Sequence, residues 1–253
     1  MNWTAFAMSV GLAVAAGLVG CFAVMRRMAL ASDALSHVAL PGIGLALALH
    51  LNPVLGGMAA LAIGTLFVWG IEHRTRISTE TVIGVVFSLA LAAGSMLASG
   101  EELVDALLGA PGRLGPWETA LGVGGSLAVS AFVLTQRNRL VLALVSEDVA
   151  RTSGIRVARL ELLYLLAFAL TVTLGLRYLG VLLMGSLTII PAATAKHLAR
   201  NLAGMFAVSV AVAVFATLAG EALAVHFHRP TGPVIIAVAA AVFLATLPVR
   251  RTA

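Results

Sequence analysis

Charge is the scarcest property of this 253-residue chain. Only 11% of its residues are Asp, Glu, Lys or Arg, against roughly 25% in soluble proteins. A soluble domain of this length could not cover its surface with so few polar groups. That excludes a water-soluble enzyme as the leading reading, and a hydrophobic content of 60% excludes disorder. Lysine is almost missing, Lys196 being the single one. A phosphate-cradling GxxxxGKS/T loop is therefore impossible, so the chain is not an ATPase of that class. The lone cysteine, Cys21, excludes an intrachain disulfide, a CxxC redox pair and a thiolate cluster. GxSxG and HExxH do not occur either. An intramembrane Ser–His protease remains as a hydrolase alternative, although no local pattern speaks for it. The expectation is that the chain is not an enzyme and that energy for any uphill movement comes from a partner or an ion gradient.

What the chain does have is long apolar runs and a mean hydropathy of +1.04. A helix needs about 20 apolar residues to cross the hydrocarbon core. Nine segments qualify as candidate spans: 4–25, 34–50, 54–71, 81–98, 118–135, 160–176, 178–195, 203–225 and 232–248. They are too long and too uniformly apolar for barrel strands, so the expected fold is an all-α polytopic bundle forming one transmembrane domain over 1–253. Pro41 and Pro191 interrupt the second and seventh spans, which are the two expected to bend or re-enter. No basic stretch precedes the first apolar run, so the first span is expected to be retained rather than cleaved.

The basic residues explain themselves as topology. The high isoelectric point, about 10.6, could suggest a nucleic-acid partner, but Lys and Arg stand singly or in pairs between apolar runs. With the N-terminus outside and every span crossing, 13 of the 16 fall inside and 3, Arg113, Arg177 and Arg229, fall outside. The inverse orientation violates the positive-inside rule. Nine spans, in a range of eight to ten, with a cytoplasmic C-terminus are expected, and no nucleic acid.

Two polar stretches separate the spans. The outer segment 99–117 carries Glu101, Glu102 and Asp105, then Pro111, Gly112, Gly115 and Pro116. It reads as a short surface helix from Glu101 to Leu108 followed by a turn. The inner segment 136–159 holds Ser146-Glu147-Asp148, which has the form of a helix start, a hydroxyl cap with acids near the positive dipole end. Gly154 has the form of a stop. A short helix over about 147–153 is predicted, and an ordinary solvated loop is the alternative.

An ionisable group in an apolar span is costly unless paired or hydrated, so it is a functional candidate. Asp33 and His37 lie four residues apart and share one helical face. A carboxylate and an imidazole suit Zn²⁺ or Mn²⁺. Two ligands cannot close a site, so others must come from further spans, a second copy or water. The competing reading has Ser32 or Asp33 capping the helix and pairing with Arg26 or Arg27. Glu221, His226 and His228 sit at the outer mouth before Arg229-Pro230 and are candidate outer cation contacts, or else a helix-terminal surface cluster. His50, His73 and His197 read as interfacial.

These segments together resemble a known family, the integral-membrane permeases of zinc, manganese and iron ABC importers. The resemblance rests on Arg26-Arg27-Met28, Ser32-Asp33-Ala34-Leu35-Ser36-His37 and Leu40-Pro41-Gly42 near the front. It continues through Glu147-Asp148-Val149-Ala150, Gly154-Ile155 and Arg159-Leu160 in the middle, then Ile189-Ile190-Pro191-Ala192-Ala193-Thr194-Ala195, and ends at Pro230-Thr231-Gly232-Pro233. No one motif is diagnostic, but four in order over most of the chain are specific.

The resemblance implies a permease in a bacterial-type plasma membrane, paired with a second copy of itself. It implies a separate cytoplasmic ABC ATPase and an extracytoplasmic solute-binding protein as partners, with membrane lipid around it. The dication, Zn²⁺, Mn²⁺ or Fe²⁺, is cargo, and no cofactor is held permanently. Asp33 and His37 correspond to the metal-contacting pair. Glu147, Asp148, Ala150 and Gly154 correspond to the coupling helix that docks on the ATPase. Ser146 departs from the aromatic residue often found there. An iron–siderophore or corrinoid permease and a gradient-driven metal transporter are the transport alternatives.

Overall fold

A computed structural model describes residues 3–28, 34–51, 53–75, 77–97, 116–179 and 181–248. Among the described residues there are ten helices and no strand. They are α1 (Trp3–Met25), α2 (Ala39–Ala48), α3 (Pro53–Arg74), α4 (Thr79–Leu97) and α5 (Pro116–Val145), then α6 (Glu147–Thr152), α7 (Val157–Leu179), α8 (Val181–Leu198), α9 (Leu202–Phe227) and α10 (Thr231–Thr246). A single helical turn over 34–37 precedes α2. Five helices are long and apolar enough to cross a membrane: those within α1, α3, α5, α7 and α9. The apolar helices over 34–48, 80–96 and 231–246 are shorter.

Every candidate span overlies helix, the second being split at Val38 into the turn 34–37 and α2, and the end of the fifth differs from expectation. The fifth span does not stop at residue 135, because α5 continues through Gln136–Leu144 to Val145. Those ten residues are good helix formers with no Gly or Pro to end the ladder. Thirty residues rise about 45 Å, well beyond a core of about 30 Å, so α5 projects out of the apolar layer. α8 runs continuously through Pro191, which stands in its interior. Pro41 lies in the first turn of α2, where its missing N–H costs nothing, and the break falls at Val38, before it. The predicted surface helix at Glu101–Leu108 lies outside the described residues.

α1 is the axis of the bundle. It packs on α5, α7, α8 and α9, and Leu12, Ala13, Ala15, Ala16, Val19 and Phe22 are fully buried. Small residues permit this closeness: a Cβ on Gly20 would fall 1.9 Å from the Thr188 carbonyl oxygen of α8. Hydrogen bonds add to the packing, with Ser209 Oγ donating to the Gly17 carbonyl at 2.8 Å and Tyr164 Oη to the Val19 carbonyl at 3.1 Å. Large apolar side chains instead face outward on the periphery. Ile63 is 67% exposed, Leu89 65%, Leu127 63% and Phe215 57%, which in water would be unfavourable and in lipid is not.

The contacts also fix helix directions. Met8 and Gly11 of α1 meet Gly122 and Ser126 of α5, so those two run parallel. Cys21 and Gly17 meet Met205 and Ser209, so α9 runs opposite to α1. Val19 and Arg26 meet Tyr164 and Glu161, so α7 does too. Val38 and Gly42 meet Gly64 and Gly56, so α2 and α3 are antiparallel. His37 and Leu40 meet Phe87 and Gly94, so α2 and α4 are parallel. The direction reverses at each step along the chain wherever these pairs report it.

Candidate functional site

Three places on this frame carry polar chemistry. The first is the turn before α2. His37 sits edge-on to Phe87 of α4, ring centroids 5.5 Å apart and planes at 63°. Its Nδ1 is buried and has no hydrogen-bond partner among the described residues. A buried imidazole nitrogen without a partner forfeits the hydrogen bond it made to water, and such atoms are rare unless a ligand or water completes them. The helical turn 34–37 and the restart at Ala39 position His37, and its sequence neighbours Leu35, Ser36 and Val38 are themselves buried. Asp33, its predicted partner, lies outside the described residues.

The second place is α6. Ser146 is extended (φ −155°, ψ 112°) and its Oγ accepts from the Val149 N–H at 3.4 Å, which caps the helix. Glu147 and Asp148 occupy the first turn, and Glu147 pairs with Arg151 one turn later. Gly154 takes φ +78°, and its N–H and that of Ile155 close on the carbonyls of Arg151 and Ala150, both at 3.0 Å. This is a Schellman-type stop, available to glycine at little cost. The predicted cap, acids and stop are thus all realised. Ala150 is fully buried and anchors the helix, while Glu147, Asp148, Arg151 and Val149 are exposed. The helix presents a polar outer face with one apolar side chain, Val149, at 50% exposure.

The third place was not singled out from sequence. Glu161 lies one turn into α7 and accepts from Arg26 Nη2 of α1 at 3.2 Å. Its other oxygen is 4.0 Å from His73 Nε2 of α3. Arg26 therefore has a partner 135 positions away, while Ser32 and Asp33, which the capping alternative offered it, lie outside the described residues. The guanidinium also stands 5.3 Å from the centroid of the Tyr164 ring. A cleft of about 390 Å³ opens beside the group, lined among others by Arg27, Glu72, Ser78 and Glu80. The signal available in sequence was a lone carboxylate inside an apolar run, Leu160-Glu161-Leu162.

The remaining candidates stand apart from these. His226 is in the last turn of α9, packed edge-on against Phe227 at 5.0 Å, and His228 is the left-handed C-cap residue at φ 51°. Both are exposed, and Glu221 lies partly buried on the same helix. Among the described residues no three His, Cys, Asp or Glu side chains converge as a metal-binding group. His73 lies in the last turn of α3, and His197 Nε2 lies 3.2 Å from the Thr246 carbonyl, bringing the C-terminal ends of α8 and α10 together.

Comparison with known proteins agrees with this architecture. The chain is 29% identical over 235 residues to the manganese transport system membrane protein MntC of Halalkalibacterium halodurans, covering 90% of this chain and 80% of that protein. It is 27% identical over 236 residues to the high-affinity zinc uptake system membrane protein ZnuB of Haemophilus influenzae, covering 90% of each. Its fold superposes on PsaBC from Streptococcus pneumoniae, solved in complex with a Fab, with a TM-score of 0.82 and 26% identity, covering 96% of this chain and 89% of that one. The model of the ABC 3 transport family matches residues 1–250, and with this multi-pass helical bundle the chain belongs to that family.

Proposed function

We propose that this chain is the permease subunit of an ATP-driven importer of a divalent metal ion, Zn²⁺, Mn²⁺ or Fe²⁺. The observation that carries the reading is likeness over nine-tenths of the chain to relatives named for manganese and zinc transport. The buried, unpartnered Nδ1 of His37 supports it, since an imidazole nitrogen held apart from protein donors is disposed to meet a dication. Asp33 and His37 form the pathway pair, and Glu221, His226 and His228 are outer contacts. Helix directions that fit alternation wherever contacts report them support nine crossings, and the placing of 13 of the 16 basic residues on one side supports an outer N-terminus and a cytoplasmic C-terminus.

The ATPase is a separate subunit that docks on α6 through the exposed Glu147, Asp148 and Gly154, while Ala150, named with them from the sequence, is buried and holds the helix in place. A capped, exposed helix buttressed at Ala150 supports this role. Nucleotide binding moves α6, and the two permease copies exchange which face of the path is open. A solute-binding protein delivers the ion at the outer face, where segment 99–117 is acidic. The decisive experiment is metal uptake by liposomes containing the permease and its ATPase. Uptake that requires ATP and is lost with Asp33→Ala or His37→Ala supports the reading. Uptake driven by a proton gradient without any ATPase overturns it.

A further inference from the structure

We propose that Glu161 is the latch of the inner mouth: its carboxylate, one turn into α7, ties that helix to Arg26 just past α1 and faces the end of α3, and it must release when α6 is displaced. The inference rests on the transport reading above and names a positioning residue for it. The two carboxylate oxygens face different elements: Oε1 accepts from Arg26 Nη2 at 3.2 Å, and Oε2 faces His73 Nε2 at 4.0 Å, a distance that pairs them only when the imidazole is protonated. The Arg26 and Glu161 side chains are only 12% and 22% exposed. A pair shielded to this degree is screened less by salt than a surface pair, and losing one partner strands the other charge. The partners are themselves held in place. Arg26 stands over the Tyr164 ring, His73 Nδ1 lies 3.2 Å from the Trp69 carbonyl, and Trp69 Nε1 donates to the Ala158 carbonyl of α7 at 3.0 Å.

The mechanical link to α6 is short. Only Ser153, Gly154, Ile155 and Arg156 separate α6 from α7. The Ile155 N–H bonds to the Ala150 carbonyl, and Ile155 packs against the core. α6 cannot shift far without carrying Ala158 and Glu161 with it. The cleft of about 390 Å³ beside the pair gives room for Arg26 and Glu161 to part and rehydrate. Glu72 and Glu80 line that cleft, so a released guanidinium can turn toward another carboxylate. Two discrete pairings of Arg26 would make a two-state element biased by the position of α6.

The test uses the full permease with its ATPase in liposomes, comparing wild type with Glu161→Gln. The expected result is a rise in ATP hydrolysed per metal ion imported of about fivefold, the low end of conformational couplings. A cysteine placed in the cleft by Ala143→Cys should also react faster with a charged thiol reagent in the Glu161→Gln background, while buried Cys21 stays silent. The exchanged pair Arg26→Glu with Glu161→Arg should recover both readouts in part, where Arg26→Glu alone does not. An unchanged ratio and unchanged labelling in an assembled Glu161→Gln complex would overturn the latch. If that variant does not assemble, Arg26→Lys and Arg26→Gln decide: coupling kept by Lys and lost by Gln supports the latch, and equal behaviour of the two refutes it. Failure of the wild-type complex to import any metal would refute the transport reading instead, with the labelling contrast still reporting on Glu161.

Discussion

Gly42 of α2 and Gly56 of α3 touch backbone to backbone. A Cβ added to either would lie 2.2 Å from the other's carbonyl oxygen. The contact is reciprocal, and Ala46 and Ala60 close it on both sides. It holds the short α2 against α3 immediately after the turn that carries His37. Gly42→Ala or Gly56→Ala must force the pair apart, at a cost of roughly 1–3 kcal/mol for overpacking. A thermal shift in detergent should fall for both variants and stay near wild type for Gly84→Ala, where nothing lies within 4 Å. Equal midpoints across the three would contradict the close approach. Metal uptake should also drop in the first two, since His37 loses its support.

The stop of α6 makes a second, separable prediction. Gly154→Ala places a Cβ in open space, so it adds no clash. It does force a side chain into φ +78°, which costs about 1 kcal/mol. Ser146→Ala removes the cap, at about 1 kcal/mol by another route. Both variants should insert and assemble normally yet show ATP hydrolysis uncoupled from uptake, because they loosen the helix without touching the path. Glu147→Ala should act more weakly, as its pair with Arg151 is exposed and worth well under 1 kcal/mol. Normal coupling in all three would remove α6 from the docking role.

At the path itself, His37→Ala and Asp33→Ala should each cut metal uptake by about tenfold or more, equivalent to ~1.4 kcal/mol of lost interaction. His37→Phe is the sharper control. It keeps an aromatic ring against Phe87 and removes the nitrogens, so the relief of the orphaned Nδ1 offsets the crowding of the larger ring and stability should stay near wild type. Uptake by His37→Phe at wild-type rate would show that the imidazole is packing and not a ligand.

These sites differ in how far the sequence alone reveals them, and the reason is range. The α6 cap and stop depend on residues within eight positions of one another, so Ser146, Glu147, Asp148 and Gly154 announce them locally. The spans announce themselves because lipid demands a continuous apolar run. The end of α5 does not, because solvation permits either helix or loop over Gln136–Val145 and only tertiary context decides. Pro41 reads as an interruption, but it lies in the first turn of α2, where its missing N–H is not needed, and that place is not visible from the residue itself. The Arg26–Glu161 pair is the least legible. Its partners are 135 residues apart, and local charge pattern offers Arg26 nearer candidates.

Tyr164 shows how these long-range contacts can be weighed one at a time. Its hydroxyl is fully buried and donates to the Val19 carbonyl at 3.1 Å, while its ring meets Phe22 edge-on at 6.2 Å and lies under the Arg26 guanidinium. Tyr164→Phe removes the hydroxyl alone. The Val19 carbonyl keeps its place in the α1 ladder, so the expected loss is that of one hydrogen bond, about 1 kcal/mol. Tyr164→Leu also removes the ring face from Arg26 and should cost roughly 1 kcal/mol more. The two effects separate in a double-mutant cycle read by thermal unfolding in detergent. Arg26→Gln combined with Tyr164→Phe should be additive, because the ring survives. Arg26→Gln combined with Tyr164→Leu should be less than additive, because the cation–ring contact is then lost only once. Additivity in both cycles would mean that Arg26 is held by Glu161 alone.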